Sequence, residues 1–296
     1  MKFALIAEAK SHHTVSRIAR VLGVTAAGYH AFIKRPPSRR ATEDERLKGL
    51  ISQVHERSRG IYGAPRIHAE LAMAHDIHVS RKRVARLMRD MELAGVSRRR
   101  RPGGAKKKTA ETPVAPDLVK RDFTAGRPNQ LWIADITYVP TWEGWLFLAV
   151  VIDAHTKVCV GWAMRDDLRS EIVIDALGMA STRKKPAPGC IHHSDQGSQY
   201  RSLAFGRTLR ESGVVASMGS RGDAYDNAAA ESFMATIKTE LIYRTTFKTR
   251  DDARLAVFSY IEGFYNPIRR HSTLGFHSPL EFEKIALAET VQTAGV

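Results

Sequence analysis

Leu131-Trp132-Ile133-Ala134-Asp135-Ile136-Thr137-Tyr138-Val139-Pro140 is the stretch on which the reading of this chain turns. Its β-branched and aromatic residues predict a strand over residues 131–140. Two more apolar runs, 145–152 and 158–164, predict strands, and Asp153-Ala154-His155-Thr156 between them suits a tight turn. Beyond these three antiparallel strands, the pattern predicts a helix from Ser170 to about residue 182 and a short strand over 190–193. A helix over 203–211, a strand over 214–218 and helices over 228–243 and 251–265 complete the series. Ser170 is expected to cap the first helix, and Asp226 or Asn227 the third.

Three strands followed by helix–strand–helix–strand–helix is the order of an α/β RNase H-like core, a mixed five-stranded sheet with flanking helices. In that order the first strand is central and the strand after the crossover helix lies parallel beside it. Asp135 lies inside the first strand. Asp195 follows the fourth, in His192-His193-Ser194-Asp195-Gln196-Gly197-Ser198-Gln199-Tyr200. Both reach the same rim of the sheet, the usual place for ligands in open α/β folds. Glu231 lies one turn into a helix that must pack across that rim. A buried carboxylate shifts its pKa or finds a cation, and three converging acids repel one another unless metal neutralises them. Their hard oxygens suit two Mg²⁺ ions, for which Mn²⁺ can substitute. Such a pair activates a water or 3′-hydroxyl and stabilises the departing oxygen of a phosphodiester.

Lys238 follows Glu231 by two helical turns and returns to nearly the same face, about 10 Å along the axis. There it is placed for a phosphate or terminal base of the reacting strand. His192 and His193 point to opposite faces of their strand, so at most one meets the site. His193, Ser198, Gln199 and Asn227 are read as polar support. Asp153 belongs to a hairpin turn, and Asp223 and Asp226 precede a helix start, so these acids are read as structural.

The formal charge of +15 is concentrated in the first two-fifths of the chain. Residues 1–121 hold 27 Lys and Arg against 11 Asp and Glu, while residues 122–296 hold 19 against 20. That asymmetry predicts a polyanion partner gripped by the basic part. With no 18-residue apolar run and no signal peptide, the expected polyanion is double-stranded DNA rather than membrane, and the expected compartment the cytoplasm, with the nucleoid. Residues 14–35 read as a helix-turn-helix: Val15, Ile18, Ala19 and Leu22 at helical spacing, Gly23 for the turn, Thr25 as the next cap. A second helical unit follows, with a capping box at Thr42 and Glu45 and a helix capped by Ser80. Arg81, Lys82 and Arg83 in that helix's first turn oppose its dipole, which a phosphate contact would explain. Arg98, Arg99, Arg100, Arg101, Lys106, Lys107 and Lys108 then form a basic linker suited to sequence-independent DNA tracking. The expected organisation is 1–40 and 41–97 as small all-α helix-turn-helix regions, 98–121 as linker, 122–284 as catalytic core and 285–296 as tail. Cys159 and Cys190 are read as small buried hydrophobes.

Taken together, the motifs resemble the DDE transposases with a retroviral-integrase-like core, and more narrowly the second-reading-frame proteins of the insertion sequence three group. The resemblance runs through Leu22-Gly23-Val24, Tyr62-Gly63, Trp132 with Asp135-Ile136-Thr137, and His193-Ser194-Asp195 with Gly197-Ser198-Gln199-Tyr200. It continues through Asp226-Asn227, Glu231-Ser232, Lys238-Thr239-Glu240, Tyr265-Asn266, Arg269, Leu274-Gly275 and Ser278-Pro279. It implies Asp135, Asp195 and Glu231 as the metal triad and Lys238 as a contact to terminal DNA, with Arg269 and Arg270 as further DNA contacts. It implies cleavage at an element end and attack of the freed 3′-hydroxyl on other DNA by transesterification. It also implies a first-reading-frame protein, separate or fused, as partner; because joining needs two DNA ends held together, a homo-oligomer on DNA is expected. Gln196 stands where the family often has Arg, and Ala27 where it often has Ser. Two rival readings remain at this point: a metal nuclease of the RNase H or Holliday-junction class that cuts without joining, and a non-catalytic DNA-binding regulator.

Overall fold

A computed structural model describes residues 2–97, 115–119, 122–219 and 228–294. The chain divides into two compact units, Met1–Ser52 and Gln53–Val296. In the first, α1 (Lys2–Ala9), α2 (Val15–Val21) and α3 (Ala26–Lys34) close around Ile6, Ala19 and Tyr29. The predicted helix-turn-helix is α2 and α3. Gly23 adopts φ +63°, and the Thr25 hydroxyl accepts the Gly28 N–H at 3.0 Å. Gly28 suits its helix because a Cβ there would come within 2.9 Å of the Thr25 hydroxyl and 3.4 Å of the Phe3 ring. Helix α4 (Arg39–Arg57) starts three residues before the expected box at Thr42. Ser38, directly after Pro36-Pro37, takes the capping role by accepting the Ala41 N–H at 3.2 Å.

The second unit contains α5 (Ala64–His75), α6 (Arg81–Asp90) and the sheet. Its strands are β1 (Leu131–Thr141), β2 (Gly144–Asp153), β3 (Cys159–Arg165), β4 (Ile191–Ser194) and β5 (Val215–Met218), in spatial order β3-β2-β1-β4-β5. The β1–β2 and β2–β3 pairs are antiparallel; β1–β4 and β4–β5 are parallel. Helices α7 (Glu171–Lys184) and α8 (Leu203–Glu211) cover one face, where Trp132, Ala134, Val151 and Val160 meet Ile172, Ala176, Phe205 and Leu209. The approach of β3 to α7 needs Gly161, since a Cβ there would strike the Ala176 carbonyl. On the other face Leu131, Ile133 and Ala154 pack with Ala230 of α9 (Ala228–Glu240). Then follow α10 (Arg250–Tyr260), a π turn over Ile261–Tyr265 and α11 (Pro279–Ala294).

The core elements fall where expected, with informative departures. Ser170 makes no side-chain cap, because its own φ and ψ of −64° and −23° are already helical. Instead α10 carries the reciprocal capping box, Thr249 with Asp252. Helix α11 runs through residue 284. The Tyr62 hydroxyl donates to the Ile268 carbonyl at 3.0 Å, and Arg270 Nε donates to Glu70 at 2.6 Å, tying the α5 region to the sheet-bearing unit. Among the described residues, no helix is long and apolar enough to cross a membrane. The expected linker cations Arg98 to Lys108, and Asp223, Asp226 and Asn227, lie outside the described residues.

Candidate active site

Strand register brings the first two acids together. Leu131 pairs with Ile191, Trp132 with His192 and Ile133 with His193, an offset of 60 residues. Asp135 lies two residues beyond the last of these pairs on β1, and Asp195 two residues beyond it on the partner segment, just past the end of β4. Strand alternation puts Asp135 with Leu131 and Ile133, on the face that Ala230 of α9 covers. Glu231, the next residue of α9, is exposed, as is Asp195 just past the end of β4. Asp195 Oδ1 accepts the Gly197 N–H at 3.0 Å, which holds the turn after β4.

Asp135 is half-buried and records its neighbours electrostatically. Burial lifts its carboxyl to about 7 despite the Ile136 N–H, which donates to Oδ1 at 2.8 Å and pulls the other way. Asp195 and Glu231 raise it further, and Lys238 opposes them. The Asp135 carboxyl therefore feels Asp195, Lys238 and Glu231. The three acids are nonetheless not a closed cage: among the described residues, no three His, Cys, Asp or Glu side chains are drawn around a common point. Mutual repulsion favours such an open arrangement.

Two polar atoms bear on whether the residues fit a cation. Tyr200 is buried, and its hydroxyl has no hydrogen-bond partner among the described residues. Burial, then Asp135 and Asp195, hold that phenol well above its ordinary range. Thr137, two residues after Asp135 on the same strand face, likewise has a buried hydroxyl without a partner among the described residues. Hard carboxylate donors, one raised by burial and by its acidic neighbours, make a donor set suited to a divalent cation. Tyr200 is a residue that sequence reasoning quoted but gave no role, because nothing local marks its depth.

The supporting residues divide. His193 Nδ1 lies 2.9 Å from the Ser217 hydroxyl, and its ring meets Phe123 edge-on, so it joins β4 to β5 on the α9 face. His192 points to Tyr200 and Phe205 on the other face, and burial lowers its pKa to about 4, leaving it neutral. Gln199 donates to the Leu168 carbonyl at 2.9 Å, while Ser198 is exposed. Asp153 is structural: it accepts the N–H groups of Asn129, His155 and Thr156 within 3.0 Å. Arg81 and Lys82 are exposed on α6, and the Arg83 N–H is capped by Ser80. Both thiols are buried and pushed up by desolvation, Cys190 to about 12.

Arg269 and Arg270, expected as DNA contacts, lie buried inside the protein. They are 4% and 6% exposed. Arg269 forks onto Glu240 at 2.7 and 2.6 Å; Arg270 joins Glu70 at 2.6 Å and Glu281 at 3.0 Å. A guanidinium this buried is stable only with carboxylates opposite it, and those engage its donors inside the protein.

Integrase core domain models match residues 125–224 and 212–279, and an HTH-like domain model matches residues 42–101. The chain is 41% identical to the insertion element IS600 uncharacterized 31 kDa protein of Shigella sonnei, over 90% of this chain and 97% of that protein. It is 37% identical to transposase InsF for insertion sequence IS3A of Escherichia coli K12, over 97% of this chain and 100% of that one. Among solved structures, the HTLV-2 integrase catalytic core domain in complex with magnesium aligns at a TM-score of 0.41 and 16% identity, covering 53% of this chain and 98% of that one.

Proposed function

Because this chain belongs to the IS3 family of insertion-sequence transposases, enzymes with an integrase core, we propose that Asp135, Asp195 and Glu231 form its strand-cleaving and strand-joining centre. The observation that supports this assignment is the pairing of β1, which carries Asp135, with β4, which Asp195 directly follows, while Ala230 beside Glu231 packs on the same sheet face; the raised Asp135 carboxyl agrees with it. A divalent cation is the species that relieves repulsion among the acids. Two Mg²⁺ ions, with Mn²⁺ able to substitute, would be held by these three carboxylates and would supply Lewis-acid activation of the attacking and departing oxygens.

The chain's own residues then have separable tasks. Asp135 within β1 and Asp195 directly after the neighbouring parallel strand β4 would present two ligands from one rim of the sheet. Glu231 closes the set from α9. In cleavage, a water oxygen forms the new bond to phosphorus as the bond to the 3′-oxygen breaks, and that oxygen keeps the electron pair and gains a proton. In joining, the freed 3′-hydroxyl attacks another phosphodiester in the same sense. Lys238 holds a phosphate or terminal base of the reacting strand. Arg81, Lys82 and Arg83 on α6, and Arg98, Arg99, Arg100, Arg101, Lys106, Lys107 and Lys108 beyond it, bind the duplex backbone of element ends and target. His193, Ser198, Gln199 and Asn227 support the site. Two DNA ends must be held at once, so the working form is a homo-oligomer on DNA of the cytoplasmic nucleoid, with a first-reading-frame protein, separate or fused, as partner.

The test is a strand-transfer assay with labelled ends of the chain's own element. Mg²⁺ should yield both cut and joined products, and chelator neither. Cutting without joining would remove the transferase reading in favour of a nuclease, and products in chelator would remove the metal.

A further inference from the structure

The β1–β2 hairpin ends in three aromatic side chains that internal packing does not explain. Tyr138 is 54% exposed, Trp145 52% and Trp142 72%. Tyr138 and Trp145 meet edge-on with ring centroids 4.7 Å apart. Apolar surface this large, grouped on one tip, marks a binding site. Two cations lie against it: Lys238 Nζ is 5.5 Å from the Tyr138 ring centre, and Lys248 Nζ is 5.7 Å from that of Trp142.

The tip is also braced. The Thr141 hydroxyl donates to the Gly144 carbonyl at 2.7 Å, and the Trp142 N–H donates to the Phe247 carbonyl at 3.2 Å. The Arg250 N–H donates to Glu143 at 2.8 Å, and Arg250 Nε to the Trp145 carbonyl at 3.3 Å. The rings are therefore presented on a backbone anchored at both sides. Lys238 links them to the acids, since the same ammonium acts on Asp135. Tyr138 follows Asp135 by three residues, about 10 Å of strand.

Flat π faces interleaved with ammonium groups complement a chain that alternates flat rings with anions. In a paired duplex the base faces are covered by stacking; in an unpaired strand they are free. We propose that Tyr138, Trp142 and Trp145 form a stacking platform for unpaired nucleotides of the DNA strand entering the carboxylate site, with Lys238 and Lys248 against the flanking phosphates. This rests on the reading of Asp135, Asp195 and Glu231 as the reacting centre. It adds a specificity: ends that are frayed or carry a short overhang bind better than fully paired ends.

The experiment compares affinities of the full chain for a blunt duplex and for the same duplex with a short unpaired overhang, in chelator so that nothing reacts. The wild type should favour the overhang by about tenfold, the scale of base–aromatic stacking. Trp142→Ala with Trp145→Ala should abolish that ratio while blunt-duplex affinity stays within about twofold. Trp142→Phe should keep it, as should Leu203→Ala, an exposed apolar change on α8. Absence of discrimination in the wild type overturns the platform, as does an equal loss on both duplexes. So does a double variant that keeps the ratio but loses self-association in sedimentation, which would assign the rings to an interface between copies. Cleavage of a pre-frayed end by wild type and Asp195→Asn is measured in parallel. A failed platform leaves that difference intact, whereas a failed catalytic assignment erases it.

Discussion

Asp135 and Glu240 are two carboxylates taken out of water in the same unit, with opposite outcomes. Burial pushes both upward. At Glu240 the hydrogen bonds and charge of Arg269 outweigh it, helped by the Tyr260 hydroxyl at 2.7 Å and by Arg66, so its carboxyl falls below the usual range. At Asp135 the neighbours are two more acids, and Lys238 does not outweigh them, so the carboxyl rises to about 7. Burial alone thus does not decide which way a carboxyl's pKa moves. The distinction is whether the chain itself supplies the opposing charge or leaves it to a ligand.

That comparison can be broken in four places. Asp195→Asn removes one anionic ligand with little change of shape and should slow strand transfer by about 10³-fold or more, a loss of several kcal/mol of transition-state stabilisation. Duplex affinity, read by mobility shift, should hardly move, and comparable transfer by the variant refutes the assignment. Arg269→Ala leaves Glu240 buried and unpaired, so it should lower unfolding stability by about 3–5 kcal/mol in denaturant titration. Adding Glu240→Leu should recover a good part of that loss; no recovery would mean the guanidinium acts through packing instead.

The third test uses pH. Asp135 has a folded pKa above its unfolded value, so the folded state holds the extra proton between about 4 and 7. Its contribution is fully present below pH 4 and is lost as pH rises to about 7. Asp135→Asn should therefore gain roughly 2–4 kcal/mol over wild type between pH 4 and pH 8, at ~1.4 kcal/mol for each pH unit of displacement. Glu240 has the opposite sign: its contribution is present above the usual carboxylate range and is lost on acidification through its lowered pKa. Parallel pH curves for wild type and Asp135→Asn would contradict the site electrostatics. The smallest effect is metal without DNA. At ten times its Kd, Mg²⁺ should stabilise the wild type at pH 8 by about 1.4 kcal/mol and leave Asp135→Asn with Asp195→Asn unmoved. Equal stabilisation of both proteins would place the ion elsewhere.

Much of this was legible in local pattern. The β-branched and aromatic residues around Asp135 mark β1, Gly23 and Thr25 mark the turn into α3, and Asp153 is a turn acid on both readings. Other features depend on contacts made at long separation. Arg270 looks like a surface cation until Glu70, 200 residues earlier, is seen beside it. Thr42 looks like a cap until Ser38 is found in that place. The aromatic tip of the first hairpin reads as ordinary strand sequence, because exposure is no property of a residue type.

By itself the sequence determined the periodicities, the turn chemistry and the order of elements, since each of these is written in neighbouring residues. Only the tertiary structure decided which charges meet. Coulomb interaction and desolvation depend on distance through folded space, so the same side chain becomes a silent ion pair at Glu240 and an unrelieved acid at Asp135.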